Sequence, residues 1–332
     1  MRLVVENFGP VVRGDVELGP FTVFIGPNNT GKSTVSQLAY LLRKTFVDDL
    51  PTAVLRAVFE ITERGKSVRE VIERLSEIDA AEVLKHIDFG ELLGRFFPPH
   101  MWVNINADHA VVEWHDEYVD LRLRIEKDDV KVVELRPTER LASHIARDMK
   151  KIVELMVGRR RLYVSRSNFY LPAGRPGLID SYISWDINVL LPGRRRRVPG
   201  VVEEFYDLLA EVGGRRGPLA DVAGLLKDVM EGDVALELRS FVYRRGGLEI
   251  RLEHAASVVK ELAPVYLVVR ELAKPGDFMV IEEPEAHLHP EAQVRVVEAF
   301  AKLVDAGLRL LVTTQSDIFL RKLMHLMLRG DL

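Results

Sequence analysis

A glycine-rich segment near the N-terminus carries the clearest chemistry in this sequence. It reads Gly26-Pro27-Asn28-Asn29-Thr30-Gly31-Lys32-Ser33, followed by Thr34. The spacing fits G-x-x-x-x-G-K-[ST], in which the glycines let successive backbone amides point toward one anion. Lys32 would bring a full charge to the β- and γ-phosphates of a nucleotide, and the Ser33 hydroxyl would bind Mg²⁺. Gly26 to Thr34 is therefore the predicted phosphate-binding loop, or Walker A motif.

The segments on either side of this loop are those that must position it. An apolar strand, Phe21 to Ile25, enters the loop, and a helix is predicted over 33–46 because Val35, Leu38 and Leu42 fall on one face. The start of that helix adds its partial positive charge to the attraction for phosphate. An ordinary glycine-rich turn at a helix start is the alternative interpretation.

A strand near the C-terminus ends in carboxylates. The apolar run Phe278 to Ile281 is followed by Glu282-Glu283-Pro284-Glu285. In proteins with a phosphate-binding loop, one acid at this position holds the metal and the next orients or deprotonates the attacking water. This pattern predicts Glu282 as the metal ligand and Glu283 as the general base. A solvated strand end is the alternative interpretation.

Three segments of the chain resemble one family. Glu282-Glu283-Pro284-Glu285-Ala286-His287-Leu288-His289-Pro290 resembles the Walker B and D-loop stretch of ABC-type, SMC-like P-loop ATPases of the overcoming-lysogenisation-defect (OLD) group. The opening Asn7-Phe8-Gly9-Pro10 resembles the start of the same proteins. Tyr170-Leu171-Pro172-Ala173-Gly174-Arg175 resembles a mid-chain stretch of these AAA-type ATPases. The resemblance is specific at both ends of the chain and weak across 47–158.

The resemblance implies an α/β fold, an ABC-type P-loop NTPase head with a mainly parallel sheet, an antiparallel β lobe and a helical insertion. The head would comprise 1–46 and 159–332, and 47–158 would be the insertion, first helical and then antiparallel β. The implied activity is Mg²⁺-dependent ATP hydrolysis with ATP-driven pairing of two heads, a homodimer, in a DNA-related process such as repair or phage defence. OLD-type proteins often carry a C-terminal nuclease domain. Because this chain ends at Leu332, shortly after Gln315, the expected nuclease or effector is a separate partner.

The resemblance also implies residues that act between paired heads. Ala255 to Leu262 is the candidate signature segment, and Ser257 would contact the γ-phosphate bound by the other subunit. The family pattern has glycine after this serine, where this chain has Val258, and a side chain there obstructs close approach to a phosphate. An ordinary helix N-terminus is the alternative interpretation.

Two further positions depart from the family pattern. Gln315 stands where the family places a histidine that senses the γ-phosphate; it can donate a hydrogen bond but cannot carry charge. The family's glutamine that links metal and lid has no counterpart, because no glutamine occurs between Gln37 and Gln293. Val258 and Gln315 favour a second hypothesis, an ATP-binding dimerisation switch with little hydrolysis that regulates a partner protein. Glu283 argues against it.

Other classes of P-loop protein fit this sequence less well. A GTPase would need an Asn-Lys-x-Asp motif to recognise the base, and the chain contains none. A small-molecule kinase would not need the paired glutamates followed by a histidine-bearing segment. A transporter ATPase is a poor fit to the insertion over 47–158 and to the altered signature segment.

Three polar features each have two interpretations. His287 and His289 lie beside glutamates and could bind zinc, or they belong only to the family motif. Arg194 to Arg197 could contact nucleic-acid phosphates or form a solvated loop. Arg175 could reach the nucleotide or a partner, or it could form a structural ion pair.

The remaining segments predict the supporting architecture. Residues 53–94 and 139–157 are helix-like, 101–135 alternates as antiparallel strands do, and 159–200 is loop-rich. Two helices are predicted within 201–231, and a hairpin around Gly246-Gly247. The last 80 or so residues alternate helix and short apolar strand, which is typical of a parallel sheet with crossover helices.

Composition excludes several classes of protein and site. With 332 residues, 47% of them hydrophobic, the chain can form one large domain or a domain with an insertion. A net charge of −4 argues against a globally basic nucleic-acid binder. The absence of cysteine excludes disulfides and thiolate metal sites. No signal peptide opens the chain, and no apolar run approaches the roughly 18 residues of a membrane span, so we expect a cytoplasmic protein.

Overall fold

The computed structural model describes residues 1–51, 54, 80–127, 129–145, 147, 166–188, 200–237, 240–330 and 332. These residues form two compact units, one of Met1–Leu18 with Gln37–Asn168 and the other of Gly19–Ser36 with Phe169–Leu332. Several predicted segments lie wholly or partly outside the described residues: 53 and 55–79 of the predicted helical segment 53–94, 146 and 148–157 of the predicted helix 139–157, and the cluster Arg194 to Arg197.

The strands and helices of the described residues have the following bounds. The described strands are β1 Arg2–Phe8, β2 Val11–Glu17, β3 Phe21–Ile25, β4 Ala110–His115, β5 Val119–Glu126, β6 Asp129–Pro137, β7 Asn168–Leu171, β8 Asp233–Glu237, β9 Ser240–Arg245, β10 Leu248–Arg251, β11 Phe278–Glu282 and β12 Arg309–Thr314. The described helices are α1 Lys32–Val47, α2 Ala80–Lys85, α3 Phe89–Phe96, α4 Arg175–Asn188, α5 Gly200–Glu211, α6 Ala220–Met230, α7 Ser257–Glu271, α8 Pro290–Asp305 and α9 Asp317–Arg329. None of these helices is long and apolar enough to cross a membrane.

The first unit is built on an antiparallel sheet with the strand order β2-β1-β4-β5-β6. Trp114, Leu121 and Leu123 are fully buried on one face, whereas the intervening Arg122 and Arg124 of β5 are exposed. A period of two places successive side chains on opposite faces of a strand, which is why alternation predicts strands over 101–135. That prediction is confirmed from Ala110 onward, whereas 101–109 contains no strand. The sheet also includes the two N-terminal strands through the pairing of β1 with β4.

The second part of helix α1 packs within the first unit through buried Leu38, Leu42 and Phe46. The same helix carries Arg43, whose guanidinium is buried and pairs with Asp116 at 2.8 Å and Glu117 at 2.7 Å. A buried guanidinium needs such partners because an unpaired charge in a protein interior is costly.

The second unit contains a sheet with the strand order β3-β12-β11-β7. β12 lies parallel to both β3 and β11. All five residues of β11 and the last five of β12 are buried, as is usual for parallel strands that helices cover on both faces. The predicted α/β class, with helix and apolar strand alternating toward the C-terminus, is confirmed.

A three-stranded antiparallel sheet, in the order β10-β9-β8, belongs to the same unit. β9 and β10 form the predicted hairpin, turning at Gly246 and Gly247, whose φ angles of +53° and +85° favour glycine. The two helices predicted within 201–231 are α5 and α6.

The prediction of loops over 159–200 is wrong for part of that range. The structure places β7 and α4 there. β7 has only four residues, all buried, and it lies beside β11, so its extended form depends on a neighbouring strand that local sequence does not reveal. Pro176 lies in the first turn of α4, where proline is tolerated because those amides need no partner within the helix.

Candidate functional site

The glycine-rich loop connects β3 to α1 and closes on itself. Asn29 and Gly31 have φ angles of +62° and +89°, in the left-handed region. The Lys32 ammonium donates to the carbonyl oxygen of Gly26 at 2.7 Å and to that of Pro27 at 2.6 Å. The Thr30 hydroxyl also donates to Pro27, at 3.0 Å. The loop therefore surrounds the lysine, and its curvature comes from residues with left-handed backbone.

Helix α1 begins within the motif itself. Lys32 is its first residue and Ser33 its second, so the amides of the first turn have no partner inside the helix. Ser33 is exposed, and Thr34 is half-buried beside it. An exposed hydroxyl at a helix N-terminus is accessible both to an anion and to the cation that accompanies it.

The order of the strands brings the predicted site residues to one edge of the sheet. In the paired registers, Ile25 of β3 lies beside Thr314 of β12, and Thr313 lies beside Glu282 of β11. All three strands run in the same direction, so the glycine-rich loop, Gln315 and the acidic segment all follow carboxyl ends. Two strand spacings separate β3 from β11, or roughly 10 Å.

Glu282 is the last residue of β11, and in the part of the chain that the structure describes only one of its two carboxylate oxygens accepts a hydrogen bond. Its Oε2 accepts from the backbone amide of Ala173 at 3.3 Å. Its Oε1 is buried and has no hydrogen-bond partner among the residues that the structure describes. Buried carboxylate oxygens normally have partners. Carboxylate and hydroxyl oxygens are ligands of the type that Mg²⁺ prefers, so the chemistry of Glu282 and Ser33 fits that ion.

Glu283 lies just beyond the strand in an unusual backbone conformation. Its φ is +43°, and its amide donates to the carbonyl oxygen of Thr313 at 2.8 Å. The Gln315 side-chain amide donates to Glu283 Oε1 at 2.5 Å. The structure therefore joins two of the three predicted catalytic residues, Glu283 and Gln315, across the neighbouring strands β11 and β12.

Glu285 is a residue that the sequence argument did not assign to the site. Its Oε1 accepts from the Thr314 hydroxyl at 2.5 Å and from the Gln315 amide at 2.9 Å. The carboxylate thus ties the segment after β11 to the end of β12 and fixes the backbone of Gln315. The only sequence signal for this role is its place as the third acid of the motif.

Arg175 is fully buried and forms an ion pair with the equally buried Glu261. Burial lowers the pKa of the Arg175 guanidinium and raises that of the Glu261 carboxyl, and each charge opposes the change in the other. Of the two interpretations of Arg175, the structure supports the ion pair.

Ser257 is exposed at the first residue of α7, and its preceding residue Ala256 makes no side-chain cap. Val258 is half-buried and packs against the hydrophobic core of the second unit. No hydrogen bond joins Ser257 to the glycine-rich loop within the described residues.

The two histidines of the acidic segment have different roles. The His289 ring accepts from the amide of Glu291 and caps the start of α8, whereas His287 is exposed with a φ of +61°. Within the described ranges, no three histidine or carboxylate side chains are grouped as a metal site would need.

Comparisons with known proteins identify one family. A family model described as "AAA domain, putative AbiEii toxin, Type IV TA system" matches residues 123–321. This range contains Glu282, Glu283 and Gln315, and the glycine-rich loop precedes it. No curated protein matches the sequence.

Several solved structures of SMC heads are similar to this chain. They include an SMC head bound to the C-winged-helix domain of ScpA, with a TM-score of 0.48, and the SMC head domain from Thermotoga maritima, with a TM-score of 0.44. A third, bound to the C-terminal domain of ScpA derived from Pyrococcus furiosus, has a TM-score of 0.41. In each comparison the sequences are 13% identical, and the matched region covers 97% of this chain and 90% of the solved chain.

Proposed function

This chain belongs to the AbiEii-type AAA-domain family, and we propose that it binds Mg²⁺ and ATP and hydrolyses the nucleotide at the carboxyl edge of β3, β12 and β11. Membership in this family of P-loop ATPases indicates nucleotide binding and hydrolysis, and the recognition of an SMC-like, ABC-type ATPase is confirmed. The narrower assignment to the OLD group stays a prediction.

One observation carries the proposal. The glycine-rich loop, the paired acids and Gln315 follow three adjacent parallel strands, and Gln315 donates to Glu283. Ligand sites in open α/β sheets form at the carboxyl ends of the strands, because loops from neighbouring strands converge there. Three segments that are not adjacent in sequence thus place phosphate-binding, metal-binding and water-binding groups at one edge of the sheet, and this supports a nucleotide as the ligand.

Each residue then has a proposed role. Amides of Gly26 to Thr34 would bind the phosphates, and Lys32 would exchange its two carbonyl acceptors for phosphate oxygens. Ser33 and Glu282 would hold Mg²⁺, which when bound neutralises charge on the phosphates. Glu283 would accept a proton from the attacking water, and Gln315 would hold the Glu283 carboxylate in place.

The paired state is part of the proposal. Ser257 is exposed at the start of α7, where a helix N-terminus could meet the γ-phosphate held by a second copy of the chain. Val258 packs against the core of the second unit, whereas the neighbouring Ser257 is exposed. This arrangement supports a homodimer that closes on ATP in spite of the missing glycine.

The alternative function is an ATP-dependent switch with little hydrolysis. The contact between Gln315 and Glu283 favours it in part, since an amide that donates to the base competes with the water that the base should bind. For the cellular process we propose a DNA-related role with a separate effector partner, in the cytoplasm. The family description names a toxin of a type IV toxin–antitoxin system, which agrees better with defence than with repair.

The deciding experiment measures steady-state ATPase activity and oligomer size for the wild type and Glu283→Gln, with and without double-stranded DNA. We expect Glu283→Gln to lower kcat about 100- to 10,000-fold, the usual contribution of a general base, while ATP-bound dimers accumulate. Glu249→Gln, which alters a surface glutamate of β10 paired with Arg244, is the matched control and should retain activity.

Two outcomes would change the conclusion. Tight ATP binding without turnover in the wild type would exclude the enzyme and leave the switch. Turnover that DNA does not change would remove the proposed DNA-related role and leave the ATPase.

A further inference from the structure

The guanidinium of Arg175 joins three separate segments of the second unit. Arg175 is fully buried, and its donors are used by backbone carbonyl oxygens in addition to the Glu261 carboxylate. The acceptors and distances are Leu171 at 3.3 Å, Pro172 at 2.7 Å, Glu261 at 3.0 Å, Glu282 at 2.7 Å and Glu283 at 3.2 Å. One side chain therefore holds the end of β7, the middle of α7 and the end of β11.

The chemistry of this position requires arginine. A guanidinium offers five N–H donors in a rigid planar fork, whereas a lysine ammonium offers three around a single point. The Arg175 fork donates through Nε to α7 and through its two terminal nitrogens to Glu282 and Glu283. No other natural side chain can contact all three segments with this geometry.

Two of the three segments that Arg175 links, the start of α7 and the end of β11, have proposed roles in hydrolysis. Glu261 lies four residues after Ser257 on α7, about one turn or 6 Å along the helix axis. Glu283, on the other side, has a φ of +43°, a left-handed conformation that costs energy for a residue other than glycine. The Arg175 bond to the Glu283 carbonyl oxygen helps to hold that conformation.

We propose that Arg175 is a positioning residue that couples helix α7 to the catalytic carboxylates. When Ser257 engages the nucleotide of a second copy, a small shift of α7 moves Glu261, and Arg175 transmits this shift to the carbonyl groups of Glu282 and Glu283. Pairing of two chains thereby sets the geometry of the base. This inference rests on the proposed function, because it assigns a regulation to the same site.

The test must avoid simple loss of folding. Removal of Arg175 alone would leave the Glu261 carboxylate buried without a partner, which is strongly destabilising. Replacement of both by apolar residues of similar volume leaves no unpaired charge, so Arg175→Met/Glu261→Leu is the informative variant. A moderate loss of stability is expected from it, because the backbone carbonyl oxygens lose their donor. Glu261→Gln, which keeps the shape and removes the charge, is the second variant should the double variant fail to fold.

The primary readout is hydrogen exchange with and without AMP-PNP, a non-hydrolysed ATP analogue. In the wild type we expect the peptides covering 257–263 and 282–288 to gain protection together. In Arg175→Met/Glu261→Leu, protection should still rise at 257–263 but no longer at 282–288. Equal responses of both peptides in the variant, or the absence of a response at 282–288 in the wild type, would refute the coupling.

Kinetics provide the second readout and separate this inference from the proposed function. We expect the double variant to retain the KM for ATP and to lose at least about tenfold in kcat, the pattern of an interaction made only in the transition state. A folded variant with wild-type kcat would overturn the inference and leave the ATPase intact. A wild type without turnover would instead refute the proposed function, and hydrogen exchange would still decide the coupling.

Discussion

Asp48 in the first unit and Glu282 in the second are both buried carboxylates, and their oxygens differ in how many hydrogen bonds they accept. In the first unit, Asp48 follows α1, and its two oxygens accept from the amides of Ser167 at 2.9 Å and Asn168 at 3.1 Å. In the second unit, Glu282 accepts from one amide, and its other oxygen has no partner in the described part of the chain. The first arrangement is complete within the protein and holds two segments together. The second leaves one buried oxygen able to accept a further bond, as the proposed role of Glu282 in holding Mg²⁺ requires.

The sharpest test of this comparison is Glu282→Gln. It removes the charge of the oxygen without a partner and keeps the acceptor for Ala173. We expect the apparent Mg²⁺ affinity in ATP turnover to fall about 100-fold, or about 2.7 kcal/mol, because a metal ligand loses its charge. The midpoint temperature of thermal unfolding should be unchanged or slightly higher, since the cost of burying the charge is removed. A large loss of stability together with normal Mg²⁺ dependence would show that Glu282 is structural, as Asp48 is.

The second prediction concerns the pH dependence that Asp48 gives to stability. Burial raises the pKa of Asp48 to about 6, although its hydrogen bonds to backbone amides oppose this shift. Because the folded pKa lies above the ordinary value, the protonated form stabilises the fold. This contribution is fully present below about pH 4 and is lost as the pH rises through about 6, with a total of about 2–3 kcal/mol.

Asp48→Asn should remove that pH dependence, because an amide resembles the protonated acid. The measurement is the free energy of unfolding by denaturant at several pH values between 4 and 8. The difference between the variant and the wild type should shift in favour of the variant as the pH rises. Parallel profiles for the two proteins would contradict the assigned pKa. ATP binding provides the control and should be unchanged in the variant. The hydrogen bonds of Asp48 lie within the first unit, whereas the glycine-rich loop belongs to the second.

The smallest expected effect is that of a charge on the exposed face of the antiparallel sheet. Arg122 pairs with Glu113 at 3.2 Å, and both side chains are partly exposed. Surface pairs contribute little because water screens them, so Arg122→Ala should change the free energy of unfolding by less than about 1 kcal/mol. ATPase activity should be unchanged. A larger loss of either quantity would mean that this face has a role beyond solvation.

Residues near one another in sequence account for what could be predicted. The glycine-rich loop, the helix after it and the acidic strand end were identified because each requires a fixed local spacing of residue types. The antiparallel strands over 101–135 followed from alternation, which also depends only on neighbours. The same logic missed β7, whose four residues are extended because β11 lies beside them.

The contacts that organise the candidate site could not be obtained in the same way. Glu285 meets Thr314, and Arg175 meets Glu261, over sequence separations of 29 and 86 residues. Arg175 had two equal interpretations from sequence because an arginine in a loop-like segment carries no sign of what surrounds it. Only its complete burial among carbonyl oxygens shows that it acts on the protein's own backbone.

By itself, the sequence determined which groups could do chemistry, because the phosphate loop and the acidic strand end are built from consecutive residues. It also determined the class of fold, because helix and strand periodicities are local. Tertiary structure alone decided that β12 lies between β3 and β11, and hence that Gln315 reaches Glu283. It also decided that Glu282 keeps one buried oxygen without a hydrogen-bond partner in the described part of the chain. The physical reason is that strand order and hydrogen-bond satisfaction depend on which distant segments pack together, and no local pattern records that choice.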